Sequence, residues 1–256
     1  MIYGDPTVYD IDALDREPSI LEEPSSSAPP AEVLERVEEL WRDELERRAG
    51  RLFDGKIFSL TRREGIRLSG HFVSYRWWIA QYRQPELFAE LGVQPLAVSG
   101  LLRVREGLVF GRRAEHTTEH PGLWELVPSG GIDETARRPG GKIAAQAQLL
   151  AELEEELCAP AESIRSVRPL ALVGDRKTGV CDIAFEVALD LPFAALAASF
   201  AGHGSDEYSE LRLVSSDELG TFVEQHSPGV VPSSIAILGI AGFSIECSAG
   251  GGGPQH

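Results

Sequence analysis

The segment from Ile143 to Leu157 admits few folds. Leu149, Leu150, Leu153 and Leu157 recur at helical spacing, so this helix must bury one stripe. Glu152, Glu155 and Glu156 stand three and four residues apart, so their carboxylates share a face while Glu154 points away. Like charges on one face repel. A surface helix usually relieves this with Lys or Arg one turn away, yet none occurs between Lys142 and Arg165. A hard divalent cation would relieve it, and Mg²⁺ is held by carboxylates together with substrate phosphates. The competing reading is a solvated acidic face.

The rest of the composition narrows the setting. The chain of 256 residues carries 24 Lys+Arg against 40 Asp+Glu, a net charge of −16. That balance argues against nucleic acid, whose backbone needs clustered cations. A nucleotide substrate stays open, because a bound metal reverses the local sign. No stretch of about 18 apolar residues suggests a membrane span. Three scattered cysteines, Cys158, Cys181 and Cys247, offer neither a disulfide framework nor a zinc site. With no basic N-terminal region of a signal peptide, a cytoplasmic location is expected.

Periodicity then predicts the elements. Residues 1–30, acidic and Pro/Ser-biased, are expected to form a flexible leader. Val33, Leu34, Val37, Leu40, Trp41 and Leu45 predict a helix to about Arg48. Lys56–Thr61 and Ile66–Tyr75 read as strands around Arg63-Glu64-Gly65, and Trp77–Leu91 as a helix closed by Gly92. Pro95–Val104 and Leu108–Arg112 read as a hairpin. An irregular loop is expected over 133–142. Ser166–Val173, Val180–Leu189 and Glu210–Val214 read as strands, and Ser216–Gln225 as a helix capped by Ser216. The tail 249–256, with four consecutive glycines, is expected to be disordered. Mixed strands with few helices, and no regular βαβ alternation, predict an α/β or α+β sandwich.

The stretch Leu123-Trp124-Glu125-Leu126-Val127-Pro128-Ser129-Gly130-Gly131, followed by a helix ending Glu152-Leu153-Glu154-Glu155-Glu156, resembles the Nudix hydrolase family. The family pattern is G-x5-E-x7-R-E-U-x-E-E-x-G-U, with U aliphatic. Gly131 matches the opening Gly, and Glu152, Leu153, Glu155 and Glu156 match E-U-x-E-E. Three departures stand out. The pattern's Arg is Ala151, its later Gly is Cys158, and the Gly131-to-Ala151 spacing is 20 rather than 14. Six extra residues therefore lie in the loop, and the first Glu has no clear counterpart, Glu134 serving only after rearrangement. The segment from Leu52 to Trp78 is similar to the N-terminal extension of Nudix proteins that hydrolyse UDP-sugars, with Phe72, Trp77 and Trp78 read as packing residues.

The resemblance implies a Nudix-like α/β/α sandwich with a mixed sheet, plus an N-terminal helix and hairpin extension. The expected division is 1–30 leader, 31–94 extension packed on the core, 95–248 catalytic domain and 249–256 tail. It further implies a Mg²⁺-dependent hydrolase, with Mn²⁺ an option. Its substrate is a nucleoside diphosphate linked to another group, foremost a nucleotide-sugar. Glu152, Glu155 and Glu156 are the expected metal ligands, and Glu155, Glu156 and the loop acid Glu207 the expected catalytic set. Asp206 and Glu210 are alternatives to Glu207. Arg113 and Gly131 are the expected substrate contacts, a guanidinium suiting phosphate oxygens. Homodimers are common in such families, but no interface can be read here.

Loss of the pattern's Arg motivates the alternative of a domain that binds a nucleotide without turnover. An isomerase acting on isoprenoid diphosphates is disfavoured, because no paired acid–base set accompanies Cys158. His116-Thr-Thr-Glu119-His120 fits a zinc-protease pattern, but Pro121 and the adjacent threonines deny it a helix. Gly140-Gly141-Lys142 lacks the other positions of a P-loop.

Overall fold

The computed structural model describes residues 8–25, 28–50 and 52–243. The tail expected at 249–256 and Cys247 lie outside the described residues.

The chain opens with β1 (Tyr9–Ala13), β2 (Ser19–Glu22) and α1 (Ala31–Arg47). The hairpin of β3 (Lys56–Glu64) and β4 (Arg67–Ser74) turns at Gly65, where φ is 62°. Next come α2 (Tyr75–Arg83) and α3 (Phe88–Leu91), where one continuous helix is predicted. Pro85 divides them. It has no N–H to donate, and its ring drives Gln84 out of the helical region to φ −137°, ψ 83°.

The strands β5 (Leu96–Val104), β6 (Gly107–Arg113), β7 (Trp124–Leu126) and β8 (Ser129–Gly131) follow. The pairs β9 (Arg137–Arg138) and β10 (Lys142–Ile143) lead into α4 (Ala145–Leu157). The remaining elements are β11 (Ile164–Asp175), β12 (Cys181–Leu189), α5 (Phe193–His203), β13 (Tyr208–Val214), α6 (Leu219–His226) and α7 (Pro232–Ile240). α6 begins three residues beyond the expected start, after a turn in which Ser215 bonds Glu218.

The larger sheet runs β1-β11-β12-β5-β6-β13, with β12 and β5 parallel. β5 and β6 pair only at their hairpin tip, Arg103–Leu108 and Val104–Gly107. Beyond it they splay, and β8 fills the gap on β5 while β7 fills it on β6. Alternation assigns the faces. Leu96, Val98, Leu102 and Val104 face α4 and α5, while Leu101 faces the other way, towards α6 and α7. Helices thus cover both faces, giving an α/β/α sandwich with a mixed sheet.

The second sheet, β3-β4-β2-β10-β9, corrects two expectations. Part of the leader is regular. Tyr9–Ala13 pairs with β11, and Ser19–Glu22 lies between β4 and β10. Its composition hides isolated apolar residues that dock, Leu14 at 8% and Ile20 at 2% exposure. The loop before α4 is not wholly irregular either, since residues 137–143 add two short strands to this sheet. Arg137 anchors them by donating from Nε and Nη2 to Glu22, 2.8 and 2.9 Å away, and lies over the Phe72 ring. One core joins leader, extension and the following domain through Ile20, Phe58, Val98 and Leu153.

α4 ends at Cys158, whose φ of 50° and ψ of 36° are left-handed. The Nudix pattern has Gly there, the residue that adopts this conformation without a Cβ clash. Cys158→Gly should therefore raise unfolding free energy by about 1 kcal/mol, read as a higher urea midpoint at unchanged m. An unchanged or lower midpoint would show that the Cys side chain compensates through packing.

Candidate active site

α4 lies against β5 and β8 through Leu149, Leu153 and Leu157. That contact sets the rotation of the helix, and rotation sets the carboxylates. Glu156 turns inward and is 2% exposed, Glu152 is half-buried, and Glu155 faces solvent.

Two neutral donors hold the two inner carboxylates, and a third neutral group lies against them. The Gln148 amide donates to Glu152 Oε1 at 2.7 Å. The Ser129 backbone N–H donates to Glu156 Oε2 at 3.2 Å. The Tyr208 hydroxyl lies 3.4 Å from Glu156 Oε1 and donates at 2.8 Å to Glu125 Oε1. One hydroxyl carries one proton, so the nearer Glu125 receives it. Ala151 is exposed where the family pattern has Arg. These donors are what positions the carboxylates in this chain.

The electrostatics follow from burial. Desolvation pushes the Glu152 carboxyl up to about 7, with Gln148 opposing and Glu155, Glu207 and Asp133 adding. Desolvation also holds Glu156 well above the ordinary carboxylate value, and Glu207, Glu152 and Glu125 raise it further. Carboxyls in this state gain most from a cation.

Glu207 sits beside Tyr208 at the start of β13. Its backbone carbonyl accepts from Ala114 N–H at 2.7 Å. Its side chain is exposed at the mouth of the site, yet surrounding protein raises its carboxyl, with Arg113 opposing and Glu125, Glu155 and Asp206 adding. Of the other two loop acids, Asp206 lies 3.5 Å from the His116 imidazole, and Glu210 lies 3.4 Å from the Arg112 guanidinium.

The structure turns Arg113 inward and leaves Gly131 at the exposed end of β8. The Arg113 guanidinium is turned into the protein, paired with Glu125, and its Nε donates to the Glu119 carbonyl at 2.8 Å. Their side chains are only 14% and 6% exposed. A Cβ on Gly131 would meet nothing closer than Ile57 at 3.9 Å. The constrained position is Gly130, where a Cβ would fall 2.3 Å from Glu152 Oε1. A side chain there would collide with the carboxylate.

Sequence reading did not find Glu125, Gln148, Ser129, Gly130 or Tyr208. Glu125 left one trace, as a carboxylate between Trp124 and Leu126 in a strand that is otherwise buried. Hard carboxylate oxygens suit Mg²⁺ or Mn²⁺. Among the described residues, however, no three His, Cys, Asp or Glu side chains close on a common point as a finished cage.

No family profile and no curated protein matches the chain. Solved structures resemble it in part. A NUDIX domain from Shewanella oneidensis, solved with ADP ribose, is 15% identical and covers 62% of this chain and 96% of its own, with a TM-score of 0.42. A bifunctional NMN adenylyltransferase/ADP ribose pyrophosphatase from Francisella tularensis is 16% identical over 62% of this chain and 44% of its own, at 0.42. A C. elegans Ap4A hydrolase is 14% identical over 57% and 99%, at 0.34. The likeness to these structures is partial. In this α/β/α sandwich α4 is the carboxylate helix, and β8, lying in the splay of β5 and β6, presents Ser129 and Gly130 to it. No helix among the described residues is long and apolar enough to cross a membrane.

Proposed function

We propose that the protein is a divalent-metal-dependent hydrolase of a nucleoside diphosphate linked to another group, with nucleotide-sugars as the leading substrate class. The observation that carries this reading is the pair of desolvated carboxylates, Glu152 and Glu156, held by neutral donors beside exposed Glu155. Among the described residues no Lys or Arg pairs with Glu152 or Glu156, and nearby Arg113 is taken by Glu125. Glu152, Glu155 and Glu156 would hold Mg²⁺ or Mn²⁺, which supplies charge neutralisation for the diphosphate. Glu155 needs only a rotamer change, since its side chain is exposed. Glu207, whose carboxyl is raised by surrounding protein and by Glu125 and Glu155, would orient or deprotonate the attacking water.

The test is incubation with Mg²⁺ or Mn²⁺ and UDP-glucose, other nucleotide-sugars, ADP-ribose, dinucleotides or nucleoside triphosphates. Products are resolved by anion exchange. Chelator-sensitive release of a nucleoside monophosphate is expected. Ligand-induced stabilisation with no product at high enzyme would favour the second reading, nucleotide binding without turnover, which the exposed Ala151 motivates.

Gly130→Ala gives an independent check. The added methyl displaces the Glu152 carboxylate, which is the mobile end of a side chain, so folding should change by under about 1 kcal/mol. Mn²⁺ affinity, followed by the loss of free-ion EPR signal, should fall about 10–100-fold. Wild-type affinity in this variant would remove Glu152 from the metal site.

A further inference from the structure

Apart from the carboxylate helix, a cleft of about 1370 Å³ opens between α2, β3, β1 and the turn joining β11 to β12. Small-molecule sites usually occupy roughly 300–1,000 Å³, so a nucleotide-sized ligand fits with room to spare. Its walls reverse the sign of the protein. The chain carries −16, yet the cleft is lined by five Lys and Arg residues against three carboxylates.

Arg83 and Lys177 are the weakly engaged ones, while Arg62 and Arg63 pair with Glu23 and Asp12. Arg83 lies 3.9 Å from Glu44, and the Lys177 ammonium has no ion partner among the described residues. Arg176 pairs with Asp10, each side chain 55% exposed. Exposed pairs of this kind contribute about 0–1 kcal/mol, so a phosphate can displace the carboxylate. Guanidinium groups suit its oxygens.

Two rings share the cleft with these cations. Tyr82 is 44% and Phe88 45% exposed, which is unusual for aromatics in a recess. Trp78 backs Tyr82 at 5.3 Å between ring centroids. Cations beside open aromatic faces recognise a molecule that is both polyanionic and planar at one end. The cleft also has a polar connection to α4. Glu119 lines it, and its carbonyl begins the series Arg113, Glu125, Tyr208, Glu156.

We propose that this cleft binds a nucleotide, with its phosphates on Arg83 and Lys177 and its base against Tyr82 and Phe88. The site goes beyond the hydrolase reading and stands whether or not α4 turns a substrate over.

The test is calorimetric titration of the full chain with ADP, UDP and pyrophosphate in EDTA. EDTA removes any divalent cation that could bridge phosphates to the carboxylate helix, and the charge variants assign the binding to the cleft. A nucleotide Kd below about 1 mM is expected. Arg83→Glu with Lys177→Glu should weaken it at least about tenfold, and Tyr82→Ala about threefold or more. Both charge-reversed residues are exposed, and the neutral pair Arg83→Ala with Lys177→Ala repeats the test should reversal disturb folding.

Three results would overturn the site. One is no binding at about 5 mM nucleotide. Another is equal affinity in the charge variants. The third is pyrophosphate binding as tightly as ADP and UDP, which would leave the rings without a role. Failure of turnover alone touches only the hydrolase reading.

Discussion

Glu156→Gln should abolish turnover, by more than about 100-fold, while leaving the metal-free protein at least as stable as wild type at neutral pH. The two effects have one cause. Burial holds this carboxyl well above its ordinary value of 4.5, and Glu207, Glu152 and Glu125 add to the shift against a single opposing N–H from Ser129. A charge there is useful only when a cation answers it.

The sign with pH follows. Below about 4.5 the group is protonated in both folded and unfolded chains, so it costs nothing. As pH rises past that value, the unfolded chain releases its proton while the folded chain keeps it, and the folded state loses ground. The loss levels off only above the raised folded value. Gln has no proton to lose, so the variant should gain on wild type as pH rises. Urea unfolding in EDTA at pH 4.5, 6 and 8 measures this. Parallel stability curves would show that Glu156 is not desolvated as the fold implies.

The second large effect is on folding. Arg113→Met should lower unfolding free energy by about 3–5 kcal/mol, because it leaves Glu125 buried and unpaired. Glu125 is 5% exposed, and its remaining donor is the Tyr208 hydroxyl at 2.8 Å. The lost bond to the Glu119 carbonyl also releases the loop before β7. Arg113→Lys should recover only part of the loss, since one ammonium lacks the fork that meets Glu125 and Glu119 together. Adding Glu125→Gln to Arg113→Met should recover most of it by removing the stranded charge. Chemical denaturation of wild type, Arg113→Met, Glu125→Gln and the double variant forms a double-mutant cycle. Additive losses would show that the pair does not act as a unit. In that event, Arg113 would be available to substrate phosphates, as its place in the sequence suggests.

Local chain geometry alone determined much of this protein. The apolar stripe of α4, its shared carboxylate face, the strands from Lys56 to Ser74 and the β5–β6 turn each follow from one segment's periodicity. The same reasoning passed over α5 and α7. Each opens at a proline boundary, Pro192 or Pro232, and their runs are apolar all round or small-residue-rich, so no stripe marks them. The leader strands escaped because averaged composition hides Ile20, and a strand of four residues becomes stable only against partners.

What only the tertiary structure decided is which groups attend the carboxylates. Glu125 and Tyr208 are 83 residues apart, and Ser129 and Glu156 are 27 apart. They meet because β7 and β13 flank β6 in a particular register, and because α4 settles on β8 with Glu156 inward. Spacing along a chain fixes which side chains share a face. Register between segments distant in sequence fixes what that face meets, and a buried carboxylate takes its chemistry from that encounter.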